Sequence, residues 1–236
     1  MAQKIDLELK SYADYVNEEA MPPFAITIAG DPGVGKSTLA LSMSSEMPVY
    51  FLETEKRFKR LAKKLHKEVI NPENIFAIEV SNWGDILIAL GTIKKAIKDN
   101  DPTNKGVVII DSATDFKNFA DHEWRETNKT FPPVNWSKLY KMMNDVVNGI
   151  KSLGLSIVFT NRVKPDYDSD GNQTGSVKID QYKNQKDLSE VALLMLPTGD
   201  IEVHKNSWHD MLVYHTDSEG LNRNMTLPQI IEKLQS

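Results

Sequence analysis

The chain has 236 residues, 40% of them hydrophobic and 26% charged, with a formal net charge of −5 and no cysteine. That length and balance suit one large soluble domain with a well-buried core. They exclude disulfide frameworks, thiolate zinc sites and a protein that coats nucleic acid with its whole surface, though not binding through one or two basic loops.

The opening MAQKIDLELKSYADY lacks the basic-then-apolar order of a secretory signal. No apolar run approaches the roughly 18 residues that span a bilayer, so a cytoplasmic protein with no membrane partner is expected. Residues 5–20 read as an amphipathic helix closed by Pro22 and Pro23. Phe24–Ala29 is a short β-prone run, followed by a glycine-rich turn and a helix from Lys36 to about Glu46. A second apolar run, VYFL, ends at Glu53, and a helix is expected from Lys56 to Lys67. Ile75–Val80 reads as a third strand and Trp83–Lys98 as a helix. VVII at 107–110, ending in Asp111, is the β-branched type of run found in central parallel strands. Helices are expected over 112–128 and 136–152, separated by the stretch around TFPPVNW, and Leu155–Thr160 is another buried-type strand. Residues 164–184 form the longest loop-like segment. After it come β-like runs near 190–196, 201–205 and 211–215, and a final helix from Leu227. Strands alternating with helices predict an α/β fold with a mostly parallel sheet, helices on both faces and an antiparallel C-terminal extension.

Gly30-Asp31-Pro32-Gly33-Val34-Gly35-Lys36-Ser37 matches G-x-x-x-x-G-K-[ST] and lies between a predicted strand and a predicted helix. Glycines there let successive backbone amides turn inward around a phosphate. Lys36 is expected to reach the β- and γ-phosphates, Ser37 to meet Mg²⁺, and the amide of Thr38 to support the α-phosphate. Asp111 ends its strand where the second magnesium-side carboxylate of such sites stands. Ser112 either assists it or caps the next helix.

Three segments resemble the RecA/RadA-like P-loop ATPases: FLETEKRF at 51–58, VVIIDSATDF at 107–116 and SIVFTNRV at 156–163. The resemblance covers roughly 24–197. RVKPDYDSDGNQTG at 162–175 and the compact size are most similar to the small phage-encoded single-strand-annealing (Sak group) members. It implies a RecA-like ATPase domain over 24–236, with 1–23 as an oligomerisation segment, and Mg·ATP bound at an interface between like subunits. Glu55 is then the residue that activates the attacking water, with Glu53 in the acidic position before it. Asn161 becomes a nucleotide sensor. Arg162 stands where the pattern commonly has Gln, open to sensing the γ-phosphate, to acting as an arginine finger on a neighbouring subunit's nucleotide, or to contacting DNA phosphate. A carboxylate on a strand neighbouring the phosphate loop suits that role on chemical grounds as well.

The resemblance also implies single-stranded DNA as a partner, and a single-strand-binding protein beside it, with two DNA-facing loops near 117–135 and 163–184. The second carries Arg162 at its edge with Lys164, Lys178 and Lys183, and the first carries Arg125. Such cations neutralise backbone phosphates. Asp166, Asp168, Asp170 and Asp180 lie among them, so on composition alone a solvated hairpin-like loop is the better account of 164–184. The expected function is ATP-dependent annealing or strand exchange in phage-type recombination, in a host cytoplasm. A packaging or helicase motor and a nucleotide-gated assembly protein without DNA binding share every nucleotide residue and stay open.

Overall fold

Successive residues of a strand point to opposite faces of its sheet, and here both faces are apolar over four adjacent strands. Val107 and Ile109 face one way and Val108 and Ile110 the other, all essentially unexposed. The computed structural model describes residues 22–65, 70–99, 106–127, 135–208 and 220–235. The expected helix at 5–20, most of the TFPPVNW stretch and the run at 211–215 lie outside them.

In chain order the main sheet takes β1 (Ala25–Gly30), β2 (Val49–Glu53), β3 (Ile75–Glu79), β4 (Val107–Asp111), β5 (Ser156–Asn161), β8 (Val191–Met195) and β9 (Ile201–Asn206). The spatial order is β3-β2-β4-β5-β1-β8-β9. All neighbours are parallel except β8 and β9, so the antiparallel extension is one described strand, because β8 itself runs parallel to β1. On one face lie α1 (Lys36–Leu41) and the last helix, α7 (Leu227–Gln235), whose Ile230 and Leu234 join Ile26, Ile28 and Leu41. Against the other face pack α3 (Trp83–Asp99), α4 (Ala113–Thr127) and α5 (Trp136–Ser152), through residues such as Ile86, Phe116 and Val147. The mostly parallel α/β reading therefore holds, with helices on both faces.

Phe116 is fully buried, with its ring 5.4 Å from that of Trp83. Phe116→Ala is expected to destabilise the fold by about 3–5 kcal/mol, the cost of an unfilled aromatic site. The check is a lower urea midpoint at unchanged denaturant slope.

Three expected boundaries move. The helix from Lys36 ends at Leu41 rather than Glu46 and tightens into a 3-10 turn over Ser42–Ser45. Ser42 Oγ donates to Leu39 O at 2.6 Å and Ser45 Oγ to Ser42 O at 2.9 Å, bonds that compete with continued α-helix. The helix expected over 56–67 is α2 (Phe58–Ala62). Lys56 sits at φ 56°, a left-handed conformation that cannot begin a helix.

The segment 164–184 is not a loop. It forms a separate antiparallel hairpin of β6 (Val163–Tyr167) and β7 (Gln173–Ile179), then the short helix α6 (Lys183–Leu188). Asp168 Oδ1 closes the hairpin turn by accepting from the amides of Asp170 and Asn172 at 3.0 and 2.8 Å. Most of its residues face water, so it shows no apolar alternation, and its polar composition reads as loop. Among the described residues no helix is long and apolar enough to cross a membrane.

Candidate active site

The carboxyl ends of four parallel strands meet in one row. Glu53 of β2 pairs in register with Asp111 of β4, and Asp111 with Thr160 of β5. Asn161 pairs with Ala29 of β1, one residue before the glycine turn. A cleft of about 620 Å³ opens above this row, lined by Lys36, Ser37, Glu55, Arg57, Asp111 and Arg162 among others. Ligands of open α/β sheets sit at this strand edge.

The glycine turn needs its glycines for stated reasons. A Cβ on Gly30 would lie 2.6 Å from Met195 O and 2.9 Å from Val34 Cγ2, and Gly35 takes φ 107°, where side chains are strained. Lys36 Nζ donates to the carbonyls of Gly30 and Asp31 at 2.9 and 2.8 Å, so the ammonium closes over its own loop. Burial pushes the Lys36 pKa down, while Asp111, Glu55 and Asp31 pull it back up.

Ser37 Oγ donates to Asp111 Oδ2 at 2.7 Å, and the Thr160 hydroxyl donates to the other carboxylate oxygen. Burial pushes the Asp111 carboxyl up, and these two hydroxyls oppose it. Among the described residues no group of three or more His, Cys, Asp or Glu gathers to hold a metal. One carboxylate beside one hydroxyl still fits Mg²⁺, which keeps several waters and takes further oxygens from phosphate rather than an all-protein cage.

Three residues that sequence reasoning missed fix this arrangement. Besides Thr160, Thr54 Oγ1 lies 3.0 Å from both Asp111 O and Asp115 Oδ2, and accepts from the Ser112 amide at 2.9 Å. Ser112 Oγ donates to Asp115 Oδ2 at 2.9 Å and accepts from the Asp115 amide at 3.3 Å, so Ser112 caps α4. The Ser-x-x-Asp spacing at 112–115 carries that capping signal. The Asp111–Ser112 peptide is cis.

Glu55 and Glu53 occupy different environments. Glu53 is 2% exposed; Oε1 accepts from the Arg57 amide, and Oε2 is enclosed with no hydrogen-bond partner among the described residues. Its bond to Arg57 N closes the turn 53–57. Glu55 faces the cleft, where Oε1 meets Arg162 Nη2 at 2.5 Å and Oε2 meets Arg57 Nη1 at 2.8 Å. The hydrogen bond with Glu55 raises the Arg162 pKa.

Asn161 lines the cleft by position, but its side chain is 1% exposed and engaged inward. Nδ2 donates to Asp180 O at 2.8 Å, and Oδ1 accepts from Gln185 Nε2 at 2.6 Å. Gln185 Nε2 also lies 3.0 Å from Thr27 Oγ1, so a buried polar chain runs from the tip of β5 beneath β1 to α6. The other expected DNA residues stand apart from the cleft. Lys164 pairs with Asp180 and Lys178 with Asp166, each at 2.7 Å, on the exposed hairpin. Lys183 opens α6. Arg125 belongs to the helix α4 and not to a loop, and it pairs with Asp121 at 2.9 Å. The expected first loop begins at 117, yet 117–127 is helical, because its apolar residues recur at helical spacing with Phe116, Ala120 and Trp124 buried.

The family described as an AAA domain matches residues 23–212. Among solved structures, a crystal structure of the RadB recombinase is similar at a TM-score of 0.49 and 18% identity, covering 84% of this chain and 90% of that one. No curated protein matches the sequence.

Proposed function

The chain belongs to the AAA domain family, and from that premise we propose that it is a RecA-like, magnesium-dependent ATPase that binds single-stranded DNA and supports annealing or strand exchange in phage-type recombination. The observation that carries the ATPase part is the convergence of Lys36, the Ser37–Asp111 pair and Glu55 on one cleft. The residue types and their order along the chain match what phosphoryl transfer to water needs: a cradle, a magnesium-side carboxylate and a carboxylate to orient the nucleophile.

With ATP in the cleft, the glycine-turn amides and Lys36 hold the β- and γ-phosphates, and Lys36 exchanges its bonds to Gly30 and Asp31 for phosphate oxygens. Ser37 and Asp111 would hold magnesium, which would supply neutralisation of phosphate charge. Glu55 orients a water opposite the leaving oxygen and accepts its proton. Thr160 and Ser37 keep the Asp111 oxygens fixed. Asn161 couples the strand tip to α6, and Arg162 leads directly from the cleft into the hairpin at Val163. That continuity supports the hairpin as the part that meets DNA, with Tyr167 half-exposed on the same hairpin as Lys164 and Lys178. Its lysines must leave Asp180 and Asp166 to neutralise phosphates, so binding is weak until many contacts form together. Assembly of like subunits with ATP between them provides that multiplicity, and a single-strand-binding protein is the natural competitor or loader.

A fluorescence polarisation titration with a labelled single-stranded oligonucleotide tests the DNA part. The expected result is saturable binding at low salt, tighter with Mg·ATP, weakening steeply as salt rises. Replacing Lys164 and Lys178 together by Ala is expected to flatten the salt dependence by roughly 0.7 per lost phosphate contact. Absence of binding with and without ATP points instead to a nucleotide-gated assembly protein, and duplex unwinding to a motor.

A further inference from the structure

The segment that follows Glu55 contains an arginine to which the ATPase pattern assigns no role. The turn 53–57 is held at its base by the buried Glu53 carboxylate, which accepts from the Arg57 amide. That bond closes the turn while Lys56 takes a left-handed conformation, φ 56°, uncommon for a residue with a side chain. As a result Lys56 is exposed, and Arg57 lies beside Glu55 on the wall of the same cleft as Lys36 and Asp111. The Arg57 side chain is 70% exposed and its guanidinium meets Glu55 Oε2 at 2.8 Å, while Arg162 takes Oε1. Arg162 is hydrogen-bonded to Oε1 and Arg57 is ion-paired with Oε2, so each oxygen of the proposed base faces a guanidinium, and withdrawal of one leaves that oxygen freer to orient a water.

We propose that Arg57 is a cis-acting catalytic cation for ATP hydrolysis, which leaves Glu55 for the γ-phosphate when Mg·ATP binds and so uncovers the carboxylate oxygen that orients the water. Ion pairs with this much solvent exposure are weak. A planar guanidinium forms stronger, bidentate bonds to a phosphate that gains charge near the transition state. Arg57 and Glu55 line the same cleft as Lys36 and Asp111, so a phosphate held there shares that cleft with the guanidinium. The backbone stays pinned by Glu53 while the head group moves. Cations at this position in phosphoryl transfer act either from the same chain or from a neighbour. Here the turn places Arg57 and Glu55 two residues apart, so the same chain supplies both.

The proposal rests on the ATPase function above, and its test keeps the two separable. Wild type, Arg57→Ala, Arg57→Lys and Lys36→Ala are compared for ATP turnover and for affinity towards Mg·ATPγS and Mg·ADP·aluminium fluoride. Arg57→Ala is expected to lose about 10²-fold in kcat, the order seen for one preorganised donor at developing charge. Affinity for Mg·ATPγS should stay within threefold of wild type while affinity for the aluminium fluoride complex falls, a split that a merely structural pair with Glu55 does not produce. Arg57→Lys should recover part of both. Mixing Arg57→Ala with Lys36→Ala subunits should restore nothing, because each chain lacks one group of its own site. Turnover of Arg57→Ala within threefold of wild type overturns the proposal, as does recovery on mixing, which places the cation in trans. If wild type binds Mg·ATP without turning it over, equal aluminium fluoride affinity in wild type and Arg57→Ala overturns it. If wild type binds no Mg·ATP, the ATPase function fails first and this role falls with it.

Discussion

Lys36→Ala is expected to abolish saturable Mg·ATP uptake and with it all turnover, in a chain that stays folded. Lys36 is the only lysine or arginine within the glycine turn and its first helical residues, 30–38. Its ammonium already lies at the mouth of the loop, bonded to Gly30 O and Asp31 O. Two charge-assisted hydrogen bonds to phosphate contribute about 1.5–3 kcal/mol each. Their loss, together with an uncompensated approach of the triphosphate to Asp111, weakens binding by at least roughly 10³-fold. The fold gives up little, because the described bonds of Lys36 go to two carbonyls of its own turn, one of them on the exposed Asp31. Calorimetry with Mg·ATP reads the binding, and a melting curve within a few degrees of wild type shows that the loss is local. Heat of binding equal to wild type would remove the phosphate loop from the site.

Much of this site was legible before any coordinates, for a physical reason. A glycine turn of this kind is built from contiguous backbone, so Gly30 to Ser37 shows it in sequence order. Central parallel strands are buried on both faces, so VYFL at 49–52, VVII at 107–110 and SIVF at 156–159 stand out as apolar runs. What contiguity cannot convey is pairing across the sheet. That Thr160 donates to Asp111, 49 positions away, depends on the β4–β5 register. Likewise the contact of Arg162 with Glu55, 107 positions apart, needs β2 and β5 on either side of β4. The hairpin at 163–179 was legible only as a hairpin-like loop without assigned strands, because period-2 alternation signals a strand only when one face is apolar, and here most residues of both strands are exposed. The helix expected over 112–128 holds as α4, with Phe116, Ala120 and Trp124 burying one face, so it is the DNA-facing loop implied by the resemblance from 117 onward that does not fit Arg125.

Glu55→Gln is expected to leave Mg·ATP binding within a fewfold of wild type while turnover falls roughly 10³-fold, within the range attributed to a positioned general base. The amide keeps the shape of the carboxylate and can still accept one guanidinium bond, so the turn 53–57 and its anchor at Glu53 are not disturbed. It cannot take a proton from water. Binding is expected to persist because the phosphate contacts come from the glycine turn, Lys36 and Ser37, none of which Glu55 touches in the described hydrogen bonds. A small gain in affinity is consistent with the same chemistry, since removing one negative charge beside the γ-phosphate also frees Arg57 and Arg162 from their ion pairs. The other carboxylate of the pair is a poor substitute: Glu53 is 2% exposed and one of its oxygens is occupied by the Arg57 amide. Single-turnover kinetics at saturating Mg·ATP separate the two roles. If Glu55→Gln hydrolyses at the wild-type rate, the attacking water is oriented elsewhere, and the two-guanidinium grip on Glu55 is a structural pair rather than a resting state of the catalyst.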